Sequence, residues 1–250
     1  MIKKLRQVPL IFTPAIGLLL FLFLTSCDQP KKKVLVFHKH VSYYHESIPA
    51  GVAAIQKLSK EMDLGVDTTT NASFFNEKTL KNYAAIIFLN NADNTGTLLN
   101  PEQEKAFEKY IKSGGGFVGI HAASDAEYEW EWYGKLVGGY FTNHPEIQPA
   151  LLYVTDTSHV AVKHLPRPWK VKEEWYNFKN LNKDVNVLLT IDEKSYKGGE
   201  NGDYHPISWW HNYDGGRSFY TNLGHSAETY SDPLFLKHLK GGLQYAINAR

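Results

Sequence analysis

Ser113-Gly114-Gly115-Gly116-Phe117-Val118-Gly119-Ile120-His121-Ala122-Ala123-Ser124-Asp125 is the stretch that decides how this chain is read. Three glycines end one element. Phe117–Ile120 is then an unbroken apolar run, the mark of a strand covered on both faces. His121 stands two residues after Gly119 and two before Ala123. Small-x-His-x-small has the form of a nucleophile elbow, where a sharp strand-to-helix turn brings backbone so close that only Gly or Ala fits. A helix N-terminus beyond such a turn favours an anion or a neutral imidazole. The pattern predicts a buried strand, a tight turn with His121 at its tip, and a helix after it.

Working outward, Pro101–Lys112 reads as an amphipathic helix with Asn100 as its N-cap. Ala84–Leu89 is another buried strand. Val34–Phe37 is a third, Leu64–Thr69 a short fourth. Between them Ser47–Met62 places Ile48, Val52, Ile55 and Leu58 at helical spacing, with Pro49 in the first turn. Strand, helix, strand, twice over, predicts an α/β fold with a doubly wound parallel sheet and helices on both sides. Added β elements follow in the second half: Leu151–Thr155, Lys170–Phe178, Val185–Ile191, Pro206–Trp210 and Ser218–Leu223. Leu234–Ile247 closes the chain as a helix. Ligands of such sheets bind beyond the carboxyl ends of the strands. There the sequence carries His38, His40 and His45, then Asn90, Asn91 and Asp93, then His121.

Composition narrows the function classes. The 250 residues hold 27 Lys+Arg against 26 Asp+Glu, so no strong field draws the chain to nucleic acid. Hydrophobic residues at 43% and charged residues at 21% are the balance of a folded protein. A single cysteine excludes an intramolecular disulfide and a Cys-rich zinc module. Eleven histidines leave His and carboxylate metal sites open.

That one cysteine has a use. Lys3, Lys4 and Arg6 precede an apolar stretch, Val8–Leu24, and then Leu24-Thr25-Ser26-Cys27. This is the order of a secretory signal, with Cys27 where a bacterial lipoprotein carries its lipid. The stretch is 17 residues with two prolines, short of the ~20 that span a bilayer as a helix. Residues 1–26 are therefore expected to be a signal peptide and 27–33 a lipid-anchored tether, with the folded domain over 34–250. Loss of the three basic residues takes the formal charge from +1 to −2. The expected place is the bacterial cell envelope, held to a membrane through Cys27.

His121 is the leading candidate for chemistry. His45, just before the first helix, and His225, after the Ser218–Leu223 strand beside Gly224, are expected as ligands of a metal or of a hydroxyl. His144 is fixed in an extended turn by Pro145. In Glu173-Glu174-Trp175-Tyr176, strand alternation puts Glu174 and Tyr176 on one face and Glu173 and Trp175 on the other. His38 is a weaker candidate, and His205 and His211 are ambiguous. His159, His164 and His238 are expected at the surface, and Arg217 in a turn-supporting ion pair. His45, His121 and His225 with one carboxylate suit Zn²⁺ or another divalent metal with an open position. Without metal, His121 or His225 with Glu174 can do acid–base work, since His titrates near neutral pH. Aromatic rings with a polar tip suit sugars, and Trp130, Tyr176 and Trp209 are the expected platforms.

The stretch GGGFVGIHAASD resembles the GGG-x-x-x-HAA segment of the ThuA-like family, named for trehalose utilisation. FHKHVSYYHESIP, GGYFTNHP, EEWYNF, HPISWW and GGRSFYTNLGHSAETYSDPLF match in the family's order, from about Lys33 to Ile247. The resemblance implies a class I glutamine-amidotransferase-like, flavodoxin-like fold with His121 at the position of the amidotransferase's catalytic cysteine. It places the acidic residue before the aromatic pair at Glu174. It also implies sugar metabolism, in some members of glycosides oxidised at carbon 3. The expected catalytic residues are His121, Glu174 and His225, with His45, His144, Tyr176, Trp209 and Trp130 binding a small carbohydrate. The expectation is a carbohydrate-processing envelope protein. Its rival is a sugar-binding lipoprotein without catalysis.

Overall fold

The computed structural model describes residues 31–96 and 98–248. The expected signal peptide, Cys27 and most of the expected tether lie outside the described residues. The tether's last residue does not stay free, because Lys33 opens the first strand.

Eleven strands and five α-helices are present among the described residues. The first half alternates: β1 (Lys33–Phe37), α1 (Ile48–Glu61), β2 (Gly65–Thr69), α2 (Glu77–Leu80), β3 (Tyr83–Leu89), α3 (Pro101–Lys112) and β4 (Gly116–Ile120). After them come α4 (Glu131–Val137), β5 (Tyr140–Asn143), β6 (Gln148–Val154), β7 (Trp169–Glu173), β8 (Asn177–Lys179), β9 (Asn186–Ile191), β10 (Pro206–Tyr213), β11 (Gly216–Thr221) and α5 (Pro233–Ile247). Nine strands form one sheet in the order β2-β1-β3-β4-β11-β10-β9-β6-β7, and β5 pairs with β8 apart from it. From β2 to β11 every pairing is parallel. That half has the flavodoxin-like order, with β11 as its fifth strand. From β11 to β7 every pairing is antiparallel, and this extension is the added β material of the second half.

Alternation along the strands builds two cores. Val34, Val36, Ile87, Val118 and Phe219 face one side, where Ile55 and Leu58 of α1 and Leu239 and Leu243 of α5 cover them. Leu35, Phe37, Ile86, Phe88 and Phe117 face the other, under Phe107 of α3 and Tyr133 of α4. Helix ends follow the sequence signals. Asn100 and Gln103 form a reciprocal capping box on α3, and Asp232 caps α5 before Pro233. Gly116 is needed because a Cβ there would lie 2.4 Å from the carbonyl oxygen of Ala246.

Four expectations fail. Lys170–Phe178 is not one strand: the chain leaves the sheet after Glu173 and rejoins β structure only at Asn177. No long helix follows His121; a four-residue 3-10 turn, His121–Ser124, does, so a helix dipole adds little there. His238 is fully buried, its Nδ1 donating to Ala161 O (3.0 Å) and its Nε2 near Thr221 Oγ1 (3.1 Å). Arg217 donates to the carbonyl of Tyr245 and lies over its ring, in place of the expected ion pair.

Candidate active site

His121 opens the turn at the end of β4, and its backbone is left-handed, with φ at +49°. This conformation is costly for a residue with a side chain. Local contacts hold it: Tyr220 Oη donates to His121 O at 2.9 Å, and Ser124 Oγ lies 2.9 Å from Tyr220 Oη. The small residues on either side match the crowding of the turn. A Cβ on Gly119 would come within 3.3 Å of Ala123 Cβ and within 3.0 Å of the Tyr220 ring. The elbow read from the sequence is therefore present, with an imidazole at its tip.

The ring of His121 is oriented by the residue that follows β11. Its Nδ1 lies 2.7 Å from Asn222 O. A carbonyl only accepts, so Nδ1 carries the proton and Nε2 presents a lone pair. That lone pair meets Glu174 Oε2 at 3.2 Å and His225 Nδ1 at 3.2 Å. His225 Nδ1 and Glu174 Oε2 are themselves 3.1 Å apart. The three atoms thus make a nearly equilateral triangle. A tetrahedral Zn²⁺ with N and O ligands has ligand–ligand edges of about 3.3 Å, given bonds of about 2.0–2.1 Å. His45 completes the set, because one atom from each of His45, His121, Glu174 and His225 lies within 4.8 Å of the others. Its ring packs edge-on to His121 and His225, and its buried Nδ1 has no hydrogen-bond partner.

The donor set has the chemistry a cation needs. Burial, then the neighbouring His121 and His225 rings, hold the His45 pKa down to about 2, so it is neutral. Burial pushes the Glu174 carboxyl up, but the adjoining His121 and His225 imidazoles outweigh it and hold the group well below the usual carboxylate range. At His225 burial opposes the charged form, yet Glu174 prevails and raises the pKa. The bond from His121 Nδ1 to a backbone carbonyl is the support that ligating histidines usually have.

The members of the cluster differ in exposure. His121 and His45 are buried, while His225 is partly open and His144 exposed. His144 Nδ1 lies 3.0 Å from Pro145 O and 3.2 Å from Glu174 Oε1. The Tyr176 ring packs against that of His121, tilted by 36° with the centroids 4.2 Å apart.

The structure thus gathers six of the expected residues: His45, His121, His144, Glu174, Tyr176 and His225. Two are elsewhere. Trp209 is fully buried, donates to Val137 O and stacks on Tyr220, so it is core. Trp130 stacks on Trp132 and Tyr133 and donates to Glu108, outside the site. His38 stays near the end of β1, where its amide donates to Thr69 O (3.1 Å). His211 Nε2 bonds Leu136 O. His205 is buried and supports the site from behind, with Nε2 2.8 Å from Tyr176 O and Nδ1 2.8 Å from Glu193 Oε1.

Glu173 was read only as a neighbour on the opposite strand face. In the structure it is fully buried. Its Oε1 accepts from Gly224 N (3.2 Å), Ser226 N (3.3 Å) and the Thr229 hydroxyl. This carboxylate ties down the loop that carries His225. The doubled acid in EEWY was the available signal.

Comparison with known proteins follows the same lines. A ThuA-like protein from Bacteroides uniformis shares 29% identity over 88% of this chain and 92% of its own, with a TM-score of 0.73. One from Parabacteroides merdae shares 19% over 88% and 91%, at 0.70. A glutamine amidotransferase from Thermotoga maritima, 13% identical over 88% and 99% at 0.55, shares the fold. No protein among the curated sequences matches the chain. The profile of the ThuA family, described as trehalose utilisation, matches residues 33–246, and the chain belongs to that family.

Proposed function

We propose that the site does acid–base chemistry on a glycoside or an oxidised, 3-keto sugar, assisted by a divalent cation such as Zn²⁺ held by His45, His121, Glu174 and His225. The near-equilateral triangle of His121 Nε2, Glu174 Oε2 and His225 Nδ1, with edges of 3.1–3.2 Å, carries this reading. Trehalose utilisation, the description of the family, supports the sugar class. The pattern of residues 1–27 supports a lipoprotein of the bacterial envelope anchored at Cys27.

A cation bound there supplies Lewis-acid polarisation of a substrate oxygen. The side chains divide the remaining work by burial. His121, sealed at the elbow, is a ligand, and the proton traffic falls to the open groups. His144 directs Nδ1–H at Pro145 O and Glu174 Oε1, which leaves Nε2 free to accept a proton. A carboxylate behind an imidazole is the arrangement that orients a histidine base. With a 3-keto glycoside, the carbonyl acidifies the hydrogen at carbon 2. The base takes that proton, and the C–H electron pair becomes the C1–C2 double bond. The C1–O bond breaks, its electron pair stays on the departing oxygen, and that oxygen takes a proton from water at the open side of the cluster. The products are an unsaturated 3-keto sugar and an alcohol.

Purified protein incubated with glucosides and their 3-keto forms tests this. Turnover of the keto form, abolished in His121→Ala, is the expected result. Binding without turnover across the panel assigns the protein instead to a non-catalytic sugar-binding role.

A further inference from the structure

We infer that the loop between β1 and α1 forms a second sugar subsite, a tyrosine lip that takes the departing half of a disaccharide-sized substrate. The inference rests on the sugar reading above and deepens it.

Among the described residues no Phe or Trp side chain is exposed, although the chain is rich in both. Large apolar side chains left in water are few. Three of them fall in four consecutive residues: Val41 is 42% exposed, Tyr43 56% and Tyr44 41%. The segment leads directly into His45. The Tyr43 ring packs edge-on to His45 at 4.8 Å between centroids, so an exposed aromatic ring adjoins a buried member of the cluster. Tyr44 packs on His40 at 5.0 Å. Ile147, 41% exposed, lies three residues beyond His144.

Looseness does not account for the exposure. Val41 N and Ser42 N both donate to Ala92 O, at 2.9 and 3.2 Å, and Asn91 Nδ2 donates to Lys39 O at 2.9 Å. Three hydrogen bonds pin the loop to the segment after β3 and hold the rings ready. Rigid, preorganised aromatic rings lose little entropy when a ligand covers them. The surface is apolar on the ring faces and polar at the phenol tips, and it adjoins imidazoles and a carboxylate. That combination matches a pyranose, with its C–H face and hydroxyl rim. Clustered exposed apolar side chains beside a polar site mark a binding surface.

The test is a titration of the zinc-supplemented protein with methyl glucosides and with trehalose, maltose and cellobiose. At least one disaccharide should bind about tenfold more tightly than the methyl glucosides. Tyr43→Ala/Tyr44→Ala should collapse that ratio to near one, and Tyr43→Phe/Tyr44→Phe should keep most of it. Circular dichroism and zinc content confirm that the fold and cluster persist. Disaccharides binding no more tightly than methyl glucosides, or an unchanged ratio in the alanine variant, overturns the lip and leaves the sugar reading standing. Failure of every sugar to bind or react in the wild type overturns both. A dimer by light scattering that the alanine pair dissolves assigns the lip to a second copy of the chain and overturns the subsite.

Discussion

His121 joins three roles in one residue: turn tip, oriented imidazole and corner of the donor triangle. The tight turn at His121 was legible because the steric rule behind small-x-His-x-small acts over five residues. The tautomer was not legible, because Asn222, which fixes it, lies 101 positions away. Replacing His121 with Ala should abolish turnover and weaken zinc binding at least tenfold, since it removes one ligand. Titration calorimetry measures the second effect. Glu173 gives a subtler test. Glu173→Gln keeps the shape but turns an NH₂ or a neutral oxygen toward Gly224 N, Ser226 N and Thr229. Loss of charge-assisted hydrogen bonds at a buried carboxylate costs about 2 kcal/mol. The expected outcome is lower thermal stability together with weakened zinc binding through the displaced His225. A fall in stability with zinc affinity unchanged would make Glu173 purely structural.

At the scale of elements, regular segments were readable and their interruptions were not. Pro101–Lys112 was found because capping and periodicity act within the helix itself. Asn100→Ala should cost about 1 kcal/mol, seen as a lower urea midpoint with unchanged slope. The break after Glu173 escaped because alternation looks the same whether or not a strand stays in its sheet. Beyond the sheet Glu174, Trp175 and Tyr176 are buried in succession, with no alternation of faces, and Glu174 meets three histidines. Trp130 and Trp209 were misplaced for a related reason. An aromatic ring serves a core or a sugar equally well, and only long-range packing decides. Tyr43 and Tyr44, passed over as platforms in the sequence, lie beside the site because their loop is pinned to Ala92.

Across the whole molecule, the half-parallel sheet brings the ends of β1, β4 and β11 to one edge, and the site sits there. The strand–helix alternation predicted this for β1 and β4; that β11 joins them in parallel was not legible, because it was read only as one of the added β elements. The pairing of His144 with Glu174 needed both the separate β5–β8 pair and the antiparallel extension that ends in β7, an order no local pattern encodes. A second whole-molecule property is pH dependence. Burial pushes the Glu127 carboxyl up to about 7 from its ordinary 4.5. The folded state therefore keeps a proton that the unfolded chain has released, so this group's contribution to stability is full below pH 4.5 and declines as pH rises to about 7. Glu127→Gln retains an acceptor for Leu99 N and removes the dependence. Its melting temperature should gain on the wild type by several degrees between pH 5 and pH 8. Parallel curves would place the Glu127 pKa near normal.

The central claim is that four side chains from distant parts of the chain form one cation-binding centre. Zinc stoichiometry by equilibrium dialysis and elemental analysis, at neutral pH on folded protein, tests it most directly. The account predicts about one equivalent in the wild type and little in Glu174→Gln or His45→Ala variants with unchanged circular dichroism. A wild type that binds no divalent metal, or variants that bind as much as the wild type, would contradict it.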